Sequence, residues 1–325
     1  MAVFQSVNDV GQRIGLVVLG MHRSGTSAIT RTLGLAGATM PQHLVPANPG
    51  NQLGHWESEP LCAFNDRLLA RAGLHWISWH PRYLDWRAQP DYADLITEAA
   101  GLLIEEFGPS GTFAFKDPRM CRLFPFWRDV FTHLDITPVV VLALRHPFHV
   151  GQSLDRRNRI LPGFGMLAWL RFMLDAENAS RGLVRMVLGY DQLLADWRKA
   201  LGRIRALASG ALAEPEAAME EVIGAFLSRD LNHFPDQALA IEDRPWIAQA
   251  FGVFQGWSKR GESETGRRML DRIAKDFDAA APVFLGLIEP TDLLAQALTE
   301  LDAARAQLVE QAAGAPETRA HSGMG

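Results

Sequence analysis

The chain is 325 residues long, 48% hydrophobic and 21% charged, with a formal net charge of −5 at pH 7. This balance describes a globular protein able to bury a substantial core, as one large α/β domain or one domain with a helical appendage. It gives no reason to expect nucleic acid or an anionic membrane as a partner, so any anion-binding capacity must be local.

Residues 1–15 lack a basic stretch followed by a long apolar one, so no secretory signal is expected. No apolar run approaches the roughly 20 residues of a membrane span. The expected location is the cytoplasm. The first element is an apolar, β-branched run over Ile14–Gly20, read as a strand, and after a short loop Ala28–Leu35 reads as a helix. Residues 40–58 are rich in Pro, Gly and Asn and read as a long loop of the kind that often serves as a lid or binding loop. Pro60–Arg71 carries Leu61, Phe64, Leu68 and Leu69 at helical spacing. Residues 75–90 form an irregular segment crowded with aromatics, in which Trp76, Trp79, Tyr83 and Trp86 either stack on a sugar or apolar molecule or serve as hydrophobic cover. Tyr92–Phe107 reads as a helix, Thr112–Lys116 as a strand, Pro138–Leu144 as a strand, Pro162–Leu183 as a helix and Arg185–Tyr190 as a strand. Gln192–Ala206 is expected to be one helix, with Leu193, Leu194, Trp197, Leu201 and Ile204 on a stripe. The two cysteines, Cys62 and Cys121, cannot make a disulfide framework or a four-ligand zinc site and read as reduced core thiols.

Continuous rather than alternating apolarity marks strands buried on both faces, as in a parallel sheet. Strands alternating with helices then predict a three-layer α/β fold of the P-loop-like kind, a central parallel sheet flanked by helices, with a helical C-terminal region. The expected division is an α/β core over 1–210, a helical extension packed on it over 211–290, and a C-terminal helix with a disordered tail over 291–325. Within the last part, Thr291–Ala312 has Leu294, Leu301 and Leu308 at heptad spacing but Arg305 and Ala312 on the alternate seam. Docking of this helix on the core is preferred, and pairing with a second copy as a homodimer is the alternative.

The most informative stretch is Ile14–Ser27, IGLVVLGMHRSGTS. Strand, tight loop and helix in that order aim backbone N–H groups and a helix N-terminus at one point, which is an anion site. The spacing from Gly20 to Gly25 matches a Walker-type phosphate loop, yet Thr26 stands where the lysine of that motif belongs and Arg23 is the only cation in the loop. The loop therefore suits a phosphate-like group better than the terminal phosphates and Mg²⁺ of ATP. Ligands in such folds bind at the carboxyl ends of strands, which places Gly20–Ser27, Lys116–Arg119 and Arg145–Ser153 around one crevice.

HRSGTS at 22–27 resembles the 5′-phosphosulfate loop of sulfotransferases that use 3′-phosphoadenosine 5′-phosphosulfate (PAPS), in which a Lys or Arg precedes Ser-Gly-Thr. PVVVLALRHPFHVGQS at 138–153 is similar to that family's 3′-phosphate motif: a strand delivers Arg145, Pro147 opens a helix, and Ser153 follows. GYDQLL at 189–194 resembles the segment whose tyrosine helps hold the adenine, with Asp191 and Gln192 in place of the usual acidic pair. WLRFMLDAENAS at 169–180 also resembles bacterial members; bottom-up, its Arg171 and Glu177 read as a solvated helix face. The resemblance spans about residues 14–206 and implies a metal-independent transferase. Arg23, Ser24, Gly25, Thr26 and Ser27 would hold the 5′-phosphosulfate, Arg145 and Ser153 the 3′-phosphate, and Tyr190 the adenine. Lys116 and Arg23 would stabilise the transition state. The acceptor would be a carbohydrate or small molecule offering a hydroxyl or an amine.

Members of the family take their base from different loops. Here residues 40–58 offer His43, His55 and Glu57, and Glu59 follows; Glu57 is preferred, since a carboxylate sheltered beside Trp56 suits base work near neutral pH, and His55 is second. Alternatively Glu57 and Glu59 are first-turn acids of the helix beginning near Pro60. Two other functions fit the same loop: an ATP-dependent small-molecule kinase with Asp117 holding Mg²⁺, and a non-catalytic nucleotide-binding module.

Overall fold

A computed structural model describes residues 13–47, 54–228 and 241–313. In chain order the elements are β1 (Arg13–Leu19), α1 (Thr26–Leu35), α2 (Glu59–Arg71), α3 (Tyr92–Phe107), β2 (Thr112–Lys116), α4 (Met120–His133), β3 (Ile136–Leu144), α5 (Pro147–Asn158), α6 (Pro162–Ala179) and β4 (Val184–Gly189). They continue as α7 (Tyr190–Ala195), α8 (Trp197–Leu207), α9 (Ala217–Ser228), α10 (Pro245–Arg260) and α11 (Glu264–Ala313). The sheet has four strands in the order β2-β1-β3-β4, and every pairing is parallel.

Burial on both faces explains the unbroken apolar strands. Val17 and Leu19 of β1 point into one core, shared with Leu103 of α3, Phe124 and Trp127 of α4, Trp169 of α6 and Phe254 of α10. Leu16 and Val18 point into the other, shared with Ile29 and Leu33 of α1, Leu201 of α8 and Ile223 of α9. The result is the predicted three-layer α/β arrangement. Leu270, Ile273 and Phe277 of α11 join the first core, so α10 and the start of α11 are continuous with the sheet's own packing. At the β2 edge, Thr39 donates from its N to Thr112 O at 3.0 Å and accepts at its O from Ala114 N at 2.9 Å. At the other edge α10 packs on β4.

Three differences from the sequence reading have local causes. Gln192–Ala206 is two helices: Asp196 sits at φ −154° between α7 and α8, and its carboxylate accepts from Lys199 N at 3.0 Å, capping α8. Helix α4 was hidden by Pro125 in its interior, which usually ends a helix; here Phe124, Phe126 and Trp127 are all buried and the packing carries it. Arg171 and Glu177 are no solvated face, since they are 0% and 1% exposed. Arg171 binds Asp175, Asp278, Tyr83 Oη and Trp79 O, and Glu177 binds Arg181 and Arg185.

The predicted helix over Thr291–Ala312 is the far part of α11, which runs unbroken from Glu264. Leu301 is exposed, and the side chains of Leu294 and Leu308 lie outside those described. Residues 48–53 of the predicted lid and the tail over 314–325 also lie outside the described residues. No described helix is long and apolar enough to cross a membrane.

Candidate active site

The loop after β1 is held in its shape by its own backbone. Arg23 and Gly25 adopt left-handed conformations at φ 70° and 85°, and Ser24 N donates to Met21 O at 3.1 Å. Gly25 O accepts from Ile29 N, so α1 begins at once and its free N–H groups face the turn. A left-handed arginine is uncommon backbone, and strain of this kind concentrates at ligand sites. Ser24 Oγ is buried with no partner among the described residues, an orphaned hydroxyl inside the turn. Gly25 is required twice over: its φ is positive, and a Cβ would stand 2.3 Å from Tyr190 Cδ2. Gly25→Ala is therefore expected to cost about 1–3 kcal/mol. Urea denaturation reads that loss, and unchanged stability would show that the loop relaxes freely.

The carboxyl end of β3 joins this turn directly. Arg145 Nη1 donates to Arg23 O at 3.0 Å, and Arg23 Nε donates to Ser153 Oγ at 2.8 Å. Pro147 is the first residue of α5, as the sequence implies, and Ser153 lies on that helix. The Arg145 guanidinium lies 4.8 Å from the Tyr190 ring centroid. Tyr190 is only 6% exposed, so its ring packs between the loop and Arg145. Burial, then the charges of Arg157 and Arg145, push the pKa of Arg23 down to about 10. Cations crowded this way favour an anion among them.

Lys116 enters from the carboxyl end of β2 and is 3% exposed. Its Nζ is bound to Glu57 Oε1, donates to His55 O at 2.9 Å, and reaches Ser27 Oγ at 3.2 Å. Glu57 is turned inward and leaves the cap of α2 to Ser58, whose Oγ accepts from Leu61 N at 3.2 Å. Burial first, then Arg157, Lys116, Arg23 and Arg119, push the pKa of His55 down to about 4. His55 is thus neutral at pH 7 and a weak base. His43 is engaged elsewhere, by Glu106, whose hydrogen bond and charge raise the His43 pKa.

Asp117 is committed to structure. Its Oδ2 accepts from Asn65 Nδ2 at 2.8 Å, and its Oδ1 accepts from Arg119 N at 2.9 Å and Nη1 at 3.1 Å. Trp127 Nε1 in turn donates to Asn65 Oδ1 at 2.8 Å. Glu57, Cys62 and Asp117 bring ligand-type atoms within 4.8 Å of one another. Both carboxylates already have protein partners, and burial, then Asp117 and Glu57, drive the Cys62 thiol pKa up. Each carboxylate would have to share or give up a protein partner to bind Mg²⁺.

The structure thus brings Arg23, Ser24, Gly25, Thr26, Ser27, His55, Glu57, Lys116, Arg145, Ser153 and Tyr190 into one contiguous group at the carboxyl edge of the sheet. Of the aromatic segment, Trp79 and Trp86 are core residues, and Tyr83 Oη donates to Asp175 at 3.1 Å. Trp76 alone of the four stands beside the loop, its ring centroid 5.0 Å from that of His22. Gln192 has a structural task, accepting from Gly189 N at 3.1 Å and donating to Ser258 Oγ at 3.2 Å. The sequence reading missed Asn65 and Arg157. The only available signal for Arg157 was its place one helical turn beyond Ser153.

No family model matches the chain, and no curated protein does. Solved structures similar to it at low identity include three sulfotransferases or sulfotransferase domains. Sulfotransferase STF1 from Mycobacterium tuberculosis is 18% identical, covering 67% of this chain and 72% of that one, with a TM-score of 0.39. The sulfotransferase domain of the Synechococcus olefin synthase is 16% identical over 77% of this chain and 98% of that one, with a TM-score of 0.39. The sulfotransferase domain from the curacin biosynthetic pathway is 13% identical over 74% and 99%, with a TM-score of 0.37. At TM-scores this low the likeness carries no functional weight.

Proposed function

We propose that the protein is a PAPS-dependent sulfotransferase that moves a sulfuryl group to a hydroxyl of a small-molecule or carbohydrate acceptor. The observation that carries this reading is the junction of the two anion motifs: Arg145 donates to Arg23 O, and Arg23 donates to Ser153 Oγ. Motifs about 120 residues apart in sequence meet at the carboxyl ends of neighbouring strands β1 and β3. The orphaned Ser24 Oγ and the depressed pKa of Arg23 fit an anionic donor at this place.

On this reading, Arg23–Ser27 hold the 5′-phosphosulfate, and Arg145 and Ser153 hold the 3′-phosphate. Ser153 accepts from Arg23 and still has its own proton to donate. Tyr190 supports Arg145 and closes the nucleotide end. Glu57 takes the acceptor's proton as the acceptor oxygen bonds to sulfur and the sulfur–phosphate oxygen bond breaks. The electron pair of that bond leaves with 3′,5′-adenosine bisphosphate. Loss of charge at Glu57 frees Lys116 to turn toward the oxygens of the group in transit and offset their developing charge. Trp76 offers an aromatic wall to the acceptor. The α/β core over 1–210 binds the donor, and 211–290 extends it.

The commitment of Asp117 to Asn65 and Arg119 counts against the kinase reading. Titration calorimetry with 3′,5′-adenosine bisphosphate, against ATP with Mg²⁺, separates the two. The expected result is bisphosphate binding without divalent metal, weakened roughly 10- to 100-fold in Arg145→Ala, the worth of a charged hydrogen bond. Binding of ATP only with Mg²⁺, indifferent to Arg145, would overturn the proposal.

A further inference from the structure

Helix α5 starts beside Arg145 and sets Ser153 against Arg23. Arg157 stands four residues beyond Ser153, on the same face and about one turn, roughly 6 Å, further along. It is half-buried, and no hydrogen bond or ion pair joins it to another described residue. Its titratable neighbours come from two other segments: His22 and Arg23 of the loop after β1, and His55 and Glu57 ahead of α2. Arg145, by contrast, lies against the Tyr190 ring and donates to Arg23 O.

We propose that Arg157 binds the sulfuryl oxygens of the donor from the side of Glu57, and is a further catalytic residue of the site. The inference rests on the sulfotransferase reading above. Such a donor carries three anionic groups. The 5′-phosphate has the loop N–H groups and Arg23, and the 3′-phosphate has Arg145 and Ser153. The sulfuryl group would otherwise depend on Lys116, whose ammonium is already shared among Glu57, His55 O and Ser27. A half-desolvated guanidinium with no ion pair among the described residues is the complementary group, and its planar fork matches two oxygens of one sulfuryl group. The helix that carries it is firmly seated. A Cβ on Gly151 would lie 2.5 Å from Pro162 O, so the backbones of α5 and α6 touch and fix the face that Arg157 occupies.

The test compares two nucleotides that differ only in the sulfuryl group. Calorimetry is run with 3′,5′-adenosine bisphosphate and with PAPS on wild type, Arg157→Met and Arg157→Lys. The expected result for Arg157→Met is bisphosphate affinity unchanged within about twofold and PAPS affinity reduced roughly tenfold or more. PAPS turnover, read as bisphosphate release with a panel of hydroxyl acceptors, falls about 100- to 1000-fold. Arg157→Lys keeps the charge but not the fork and falls between. Equal losses for both nucleotides would overturn the proposal by making Arg157 a phosphate ligand or a support of the fold, and so would unchanged PAPS affinity. A wild-type protein that binds neither nucleotide removes the sulfotransferase reading itself. Wild-type binding of both, with Arg157→Met indifferent, removes only the role given to Arg157.

Discussion

Lys116→Ala is expected to lower PAPS turnover by about 100- to 1000-fold and to cost about 3–5 kcal/mol of stability. Both effects come from one geometry. The Lys116 and Glu57 side chains are 2% and 9% exposed and bind each other, so removing the cation strands a carboxylate away from water. Stability and chemistry are separated by a second pair of variants. Lys116→Met with Glu57→Gln leaves no buried charge and is expected to regain most of the lost stability, while turnover stays down because both the base and the cation are gone. Urea denaturation and bisphosphate release measure the two quantities on the same samples. A double variant that recovers turnover with stability would make the pair purely structural.

Arg171→Met is expected to be among the most destabilising changes elsewhere in the chain, at about 3–5 kcal/mol. Arg171 is fully buried on α6 and holds Asp175 on its own helix, Asp278 on α11, and Trp79 O and Tyr83 Oη in the aromatic segment. Arg122 of α4 reaches the same Asp175 at 2.6 Å and holds Ser78 O and His80 O. Methionine fills the volume of the stem but leaves Asp175 with one cation instead of two and three acceptors without their donor. Chemical denaturation gives the magnitude. A loss below about 1 kcal/mol would show that water replaces the guanidinium, as at a surface pair.

The strands and the loop were legible because their signals are local. Unbroken apolar runs ending in Gly20, Lys116 and Arg145 already state which residues stand at the carboxyl edge of a parallel sheet. Pro147 likewise announced the start of α5. Burial of charge was not legible. Arg171 and Asp175 are spaced four apart, which on a helix usually means a solvated pair, and only the packing of α11 and the aromatic segment over them makes that pair interior. The Lys116–Glu57 pair joins residues 59 positions apart, and neither residue's surroundings in sequence point to the other. Asp117 looked available for the same reason, since its Asn65 partner comes from α2. The division of Gln192–Ala206 turned on Asp196, a residue as ordinary on a helix face as at a cap until its backbone is seen.

The hydrogen bonds that Thr39 makes to β2 have a consequence for solution behaviour. An open edge strand offers a ladder of unused amide and carbonyl groups to a strand from another molecule, and it is a common starting point for aggregation. Here one residue of the segment after α1 takes the outward-facing Thr112 O and Ala114 N. A fifth strand from a neighbouring molecule therefore meets polar groups already taken at the β2 edge. The β2 edge of this short, apolar sheet is thereby kept from acting as a template for intermolecular pairing.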